Sequence, residues 1–249
     1  CPECFLVPFV VDYHGERFGK FPPGWPAVLS LAIRLNIRSW INPLLAGLSI
    51  WLTYRLLSRL AGKITALLAA LLTLSSPFFL LNAGTLLAHI WSFFLTLAFI
   101  LAWFDLTKPK DNLPRWMPIL LAGFSLGLLV LTRPWSALAI AFPFFIHGIY
   151  LLVRTPTPIR VNVFVTGIVA FVIGSLLVLW QFAVTGDPWL NPYTLWWPYD
   201  RIGFGPGRGL QENGHSLVWA IHHTRVSLRA GVSDLFGWAR FSGLSMPAG

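Results

Sequence analysis

Long apolar runs separated by short polar breaks dominate the chain. The longest extends from Ile64 to Phe104 without an Asp, Glu, Lys or Arg, and Asn82-Ala83-Gly84-Thr85 interrupts it near its middle. A membrane-spanning helix needs about 20 residues, so this run predicts two such helices joined by a tight turn. The same pattern predicts spans over 41–58, 64–82, 85–104, 116–132, 135–153 and 161–183. We therefore expect an all-α, polytopic transmembrane bundle of about six helices.

Amphipathic patterns flank this bundle. Residues 1–40 predict the end of an outer loop with an interfacial helix that starts near Trp25. Residues 184–249 predict a long outer loop, rich in Gly, Pro, Trp and Tyr, that ends in a second amphipathic helix. The bundle occupies 41–183 between them. Because the chain begins at Cys1 and not at Met, and ends at Gly249 after an Ala-Gly tail with no closing signal, we expect both termini to be truncated.

Composition excludes a soluble globule, since 56% of the residues are hydrophobic, 11% are charged and the mean hydropathy is +0.68. The net charge is +9, and the basic residues cluster at the ends of the apolar runs. There they orient the helices and contact the lipid bilayer, so they do not indicate nucleic-acid binding. By the positive-inside rule, the basic loops at 55–63, 108–115 and 154–160 are cytoplasmic. Trp40, Trp103, Trp116 and Trp135 fall at span ends, where tryptophan anchors helices.

The Cys1-x-x-Cys4 pair has no partner pair, so we expect neither a metal nor a cofactor.

Several short motifs carry a resemblance to a known group. They are Gly19-Lys20-Phe21-Pro22-Pro23-Gly24-Trp25-Pro26, Ile41-Asn42-Pro43-Leu44-Leu45-Ala46, Leu74-Ser75-Ser76-Pro77-Phe78-Phe79-Leu80 and Thr185-Gly186-Asp187-Pro188. With the alternating spans, they resemble bacterial membrane glycosyltransferases of the protein mannosyltransferase and aminoarabinose transferase-like superfamily. That superfamily has the GT-C fold.

The resemblance implies an enzyme of the cell envelope. It would transfer a hexose or pentose from a polyprenyl-phosphate-linked donor to a glycan, lipid or protein acceptor. The active face would be the extracytoplasmic side of the cell membrane. Two alternatives stay open, a transporter or flippase of lipid-linked sugars and a non-catalytic scaffold. A transporter is expected to place charges or broken helices near mid-membrane, whereas the polar residues here concentrate at the outer rim.

The resemblance also implies roles for the first outer loop. Its catalytic base is an Asp or an Asp-Glu pair well ahead of the Lys-Pro-Pro element. Asp12 and Glu16 lie on the correct side but too close to Lys20 to match that pattern, so the true base is expected upstream, and both can be solvated loop carboxylates. Lys20 corresponds to the phosphate-facing lysine, or it is an interfacial lysine that snorkels.

Further candidates lie at the outer ends of the spans. Arg133 is the one basic residue of an otherwise bare outer turn, where it meets a phosphate or anchors the helix. His89 matches a histidine of the resembling group that would bond sugar or phosphate, although a packing role fits it equally, as it fits His147. Asp200 and Arg201 lie in an aromatic stretch that lines a sugar site or anchors the loop. We expect Lys20, His89 and Arg133 to face one cavity.

Overall fold

The computed structural model describes residues 9–107 and 116–234. Most of this part of the chain is helical, which confirms the predicted all-α membrane fold. The elements are β1 (Val10–Tyr13), β2 (Glu16–Gly19), α1 (Gly24–Arg34), α2 (Ile41–Leu60), α3 (Lys63–Ser75), α4 (Pro77–Ala83), α5 (His89–Thr107), α6 (Trp116–Thr132), α7 (Pro134–Arg154), α8 (Thr157–Thr185), α9 (Pro192–Trp196) and α10 (Leu217–Asp234). The sequence pattern did not predict the β1–β2 hairpin or α9.

The chain divides into two compact units. The bundle unit comprises 22–75 and 79–177 and contains most of the long apolar helices. The loop unit comprises the described parts of residues up to 21, residues 76–78 and residues from 178 on. It contains the antiparallel hairpin, in which Val10 pairs with Gly19 and Tyr13 with Glu16, together with α9 and α10.

Helix α5 is the central element of the bundle unit. It packs against α2 and α6, while α2 also contacts α3 and α6 also contacts α7. Its buried face carries Phe99, Ala102, Trp103 and Leu106, which form a cluster with Ala122, Leu151 and Val163 of its neighbours. Helices α7 and α8 are mostly exposed although they are strongly apolar, as expected where lipid replaces water around a helix.

Three described helices are long and apolar enough to cross a membrane, namely α5, α7 and α8. The pair α3–α4 makes a fourth if it counts as one bent span. Helix α6 is apolar but has only 17 residues, and α2 has Arg55 and Arg59 in its last two turns. The prediction of about six spans therefore stays a prediction for α2 and α6.

The predicted helix over 64–82 is wrong as a single straight element. It breaks between Ser75 and Pro77, where the two halves bend by 65°. Proline lacks the backbone N–H that would continue the helix and disfavours helical dihedrals at the residue before it. The next helix also begins later than predicted, at His89 and not at Thr85, so a loop occupies 84–88.

One predicted interfacial anchor is wrong. Trp103 is 6% exposed and lies in the α5 core, where its indole N–H donates to His147 Nδ1 at 3.1 Å. This bond gives His147 a hydrogen-bond partner, although His147 is itself exposed, so its predicted packing role stays a prediction. Trp40, Trp116 and Trp135 are exposed, as an anchoring role requires.

An ion pair that the sequence did not predict joins the ends of α2 and α5. Arg59 Nη1 lies 2.9 Å from Asp105 Oδ1, and both side chains are partly buried. The charge of Asp105 is thereby balanced within the bundle unit, which lowers the penalty of placing a carboxylate near hydrocarbon.

Two glycines allow α6 and α8 to approach closely. Gly123 and Gly127 are four residues apart, so they lie on one face of α6 in a G-x-x-x-G arrangement. A Cβ added at Gly123 would lie 2.6 Å from Val169 Cβ, and one at Gly127 would lie 2.6 Å from Ile173 Cβ. Only glycine is compatible with this contact.

Replacing Gly127 by Ala should therefore lower the free energy of unfolding by about 1–3 kcal/mol, because the helices must move apart to admit the methyl group. Gly167→Ala in α8 is the matched control, since no atom lies within 4 Å of a Cβ at that position. Thermal unfolding in detergent micelles compares the two variants. An unchanged midpoint for Gly127→Ala would contradict the close contact.

Candidate functional site

His89 and Arg133 meet at one end of the bundle unit. His89 is the first residue of α5, and Arg133 is the single residue between α6 and α7. Because α6 brings the chain back along α5, the start of α7 returns to the start of α5. Arg133 Nη1 donates to His89 Nδ1 at 2.9 Å. The structure thus brings together two candidates that are 44 residues apart.

The bond defines what each side chain can offer. His89 Nδ1 accepts a hydrogen bond only if it is unprotonated, so the ring is neutral and carries its proton on Nε2. The guanidinium has five N–H donors in a planar fork and uses one of them here. Both side chains are exposed. The remaining donors suit an oxyanion such as a phosphate, which arginine binds in a bidentate manner.

Lys20 lies in the loop unit, enclosed by aromatic rings. Its side chain is 0% exposed, and Nζ forms no hydrogen bond with the described residues. The distances from Nζ to the ring centroids are 3.3 Å for Trp197, 4.2 Å for Phe9, 4.9 Å for Phe21, 5.2 Å for Tyr193 and 5.5 Å for Trp196. We call these residues the ring box. Their negative faces attract an ammonium and replace part of its lost hydration.

The local chain geometry explains how the ring box forms. The Lys20 N–H donates to the Phe9 carbonyl at 3.0 Å, which extends the hairpin by one pair and places Phe9 beside Phe21. On the other side, Asn191 caps α9 by accepting from the Tyr193 N–H, and Pro192 occupies the first turn. Helix α9 contacts β1 and supplies Tyr193 and Trp196, and Trp197 follows directly after it.

Asp200 is the acidic neighbour of the ring box. Burial raises the pKa of Tyr193 to about 12, with further contributions from hydrogen bonding to Asp200 and from its charge. Burial also lowers the pKa of Lys20, and the negative charge of Asp200 opposes that shift. Asp200 therefore helps to keep the enclosed lysine charged. Arg201 is exposed beside it.

The two carboxylates proposed for the base lie on the hairpin. Asp12 pairs with Arg17 across the strands, with Arg17 Nε 2.7 Å from Asp12 Oδ1, and this hydrogen bond lowers the pKa of Asp12. A carboxylate with a lowered pKa binds a proton less readily. Glu16 is exposed and faces Tyr13 in the hairpin register.

The predicted site residues belong to two different units, so the cavity shared by Lys20, His89 and Arg133 stays a prediction. His89 and Arg133 are together in the bundle unit, whereas Lys20, Asp12, Glu16, Asp200 and Arg201 belong to the loop unit. Sequence reasoning missed the aromatic partners of Lys20. The adjacent Trp196-Trp197 pair and the phenylalanine that follows Lys20 were the available signals. The described residues include no cluster of three or more His, Cys, Asp or Glu that could hold a metal ion, and no metal ligand is assigned.

Residues 26–189 match the family described as oligosaccharyl transferase STT3, N-terminal. The match covers about two thirds of the 249 residues. The chain belongs to this family. STT3 proteins are GT-C glycosyltransferases, so the expected GT-C-like superfamily is confirmed, whereas the narrower mannosyltransferase and aminoarabinose transferase-like resemblance stays a prediction. No curated protein and no solved structure matches the chain.

The STT3 match establishes the general chemistry. The chain is a glycosyltransferase of the membrane, and the family transfers sugar from a lipid-linked donor. With its candidate spans, it is a multi-pass membrane protein. His89 and Arg133 both lie within the matched residues, whereas Lys20 precedes them.

The ring box predicts an unusual dependence of stability on alkaline pH. Because the folded state lowers the pKa of Lys20, its contribution to stability is present above the ordinary value of 10.5 and is lost as the pH falls through the lowered pKa. Tyr193 has the opposite sign, so its contribution is present below 10.0 and is lost as the pH rises through about 12. The free energy of unfolding should therefore rise toward about pH 10 and fall beyond it.

Tryptophan fluorescence during chemical unfolding measures this profile. Lys20→Met, which keeps an unbranched apolar chain in the ring box, should remove the rising limb. Tyr193→Phe, which keeps the ring, should remove the falling limb. A rising limb that survives in Lys20→Met would show that another group causes it.

Proposed function

We propose that the chain transfers a sugar from a polyprenyl-phosphate-linked donor to a glycan, lipid or protein acceptor on the extracytoplasmic face of the cell membrane. The hydrogen-bonded pair His89–Arg133 is the observation that carries this proposal. It presents the remaining guanidinium N–H groups at a helix end, in a family whose sugar donors are lipid-linked. The resemblance of the Lys20 motif to mannosyltransferase-like enzymes supports a phosphate carrier.

The reaction needs a cation where the leaving group gains charge. The bond between the sugar C1 and the carrier phosphate oxygen breaks, and both bonding electrons remain on that oxygen. The acceptor oxygen bonds to C1 and gives its proton to a base. Arg133 donates to the phosphate oxygens as their charge develops, and His89 holds the guanidinium in place. Neutral His89 can add its Nε2–H as a further donor.

The other candidates keep narrower proposed roles. Lys20 binds phosphate only after the ring box opens, because its Nζ is fully enclosed. Glu16 is a better candidate base than Asp12, whose proton affinity is reduced by Arg17. Asp200 and Arg201 are proposed to contact sugar, since they directly follow the aromatic stretch and are exposed.

Transport of a lipid-linked sugar is the alternative. The bend between α3 and α4 is a broken helix of the kind that transporters use. The family match favours the enzyme, because STT3 proteins are glycosyltransferases. Transfer measured in detergent micelles separates the two functions, since micelles have no second compartment into which a substrate can move.

Arg133→Ala in the complete protein should reduce the rate of sugar transfer by about 10²–10³-fold, the usual effect of removing one donor from a developing oxyanion. His89→Gln should cause a smaller loss, because the guanidinium remains but is less well oriented. Transfer of radiolabelled sugar from a polyprenyl-phosphate donor in micelles measures both. Arg38→Ala is the control, because it removes an exposed arginine of the bundle unit. If Arg38→Ala and Arg133→Ala lose equal activity, net charge and not the site explains the effect.

The extracytoplasmic assignment predicts which loops accept a membrane-impermeant thiol reagent. In a background with Cys1 and Cys4 changed to Ser, a cysteine at Asn213 should react from outside intact cells, and one at Thr157 should react only after permeabilisation. Both positions are exposed in the structure. A cysteine at Asn112 would test the basic loop at 108–115, which lies outside the described residues. Labelling of Thr157→Cys from outside would place the proposed site on the wrong face.

A further inference from the structure

The loop before His89 is held by side chains from two other helices. Asn42 Nδ2 of α2 donates to the carbonyls of Thr85 and Leu87, the latter at 3.0 Å. Trp25 Nε1 of α1 donates to the carbonyl of Leu86, between them, at 2.6 Å. Three consecutive carbonyls are therefore bonded to side chains. We call Asn42 and Trp25 the loop clamp.

The loop clamp replaces hydrogen bonds that the backbone cannot supply at this point. Residues 84–88 lie between α4 and α5, so these carbonyls are outside both helices. The Asn42 amide has two N–H groups and gives one to each neighbouring carbonyl. Asn42 is 1% exposed and Trp25 is 7% exposed, so water does not compete with either bond. The loop is thereby fixed up to two residues before His89.

Helix α1 also contacts the other half of the pair. A Cβ added at Gly24 would lie 2.5 Å from Thr132 Oγ1 and 2.8 Å from the Leu131 carbonyl, so α1 touches the end of α6 directly. Thr132 is the residue before Arg133. Two consecutive residues of α1 therefore hold the two partners: Gly24 contacts the segment that ends in Arg133, and Trp25 bonds the loop that leads to His89.

We propose that Trp25 and Asn42 are positioning residues that set His89 against Arg133. This inference deepens the proposed function and rests on it for its catalytic consequence. Neither residue is given a contact with the donor. They fix the position of the start of α5 relative to the end of α6. The 2.9 Å hydrogen bond from Arg133 to His89 depends on that position.

The chain offers a matched pair of variants. Trp25→Phe keeps an aromatic ring in the core and removes the N–H that bonds Leu86. Trp91→Phe makes the same chemical change next to it, since the two indole rings lie 6.4 Å apart. The Trp91 N–H is buried and donates to no acceptor within the described ranges. The difference between the two variants therefore isolates the bond to the loop.

The first readout is the state of the His89 ring. In the complete protein, labelled with ¹⁵N-histidine and held in micelles, the Nδ1 resonance of His89 is assigned by its loss in His89→Gln. It should report a bonded, unprotonated nitrogen in the wild type and in Trp91→Phe. Trp25→Phe and Asn42→Leu should both lose that signature. Circular dichroism confirms that each variant remains helical. Retention of the signature in Trp25→Phe and Asn42→Leu would overturn the proposal.

The second readout is anion binding, with inorganic phosphate as the probe. Trp25→Phe should weaken phosphate binding about tenfold relative to Trp91→Phe. This is the effect expected if a misplaced Arg133 loses one charge-assisted hydrogen bond to the phosphate. Equal binding by the two variants would overturn the catalytic consequence of the loop clamp. Failure of the wild type to bind phosphate while it shows the His89 signature would instead count against the proposed function and leave the positioning role supported.

Discussion

The bundle unit depends on how the carbonyls between α4 and α5 are satisfied. A membrane protein must bond its backbone polar groups internally wherever water is scarce, and a helix does this along its length but not at a break. The chain breaks at Pro77 and begins α5 only at His89. Asn42 and Trp25 satisfy three consecutive carbonyls there. These bonds hold the loop that leads to the start of α5, where His89 contacts Arg133.

The helices were predictable because lipid imposes a local rule. A run of about 20 apolar residues is a helix whatever its neighbours are, so each apolar run became one or more helices. The positions at which the helices break were harder to predict from the sequence. Pro77 was visible in the sequence. Whether a proline breaks a span or only kinks it slightly depends on which groups bond the backbone carbonyls that lose their helical partners. Those partners, such as Asn42 for the loop that follows, are far away in the chain.

The candidate site also has a part that the sequence could predict and a part that it could not. His89 and Arg133 lie at ends of successive apolar helices, so the alternation of the chain alone brings them to one side of the bundle, and their 2.9 Å contact agrees with that argument. The environment of Lys20 was not accessible from the motif around it. Its rings come from Phe9 and Phe21 on the hairpin side and from Tyr193, Trp196 and Trp197, more than 170 residues later, and only tertiary packing joins the two sets. Periodicity carries no information on such long-range contacts.

The two cations are stabilised by different means, and this decides which is available to a ligand. Lys20 has exchanged its hydration for ring faces and the nearby charge of Asp200, so a phosphate that binds it must first replace those interactions. Arg133 is exposed and bonded to a neutral imidazole, which orients the guanidinium without cancelling its charge. The remaining guanidinium N–H groups can donate to an anion without a rearrangement of the side chain. Preorganised donors of this kind contribute most to catalysis, because no reorganisation is needed as charge develops on the leaving group.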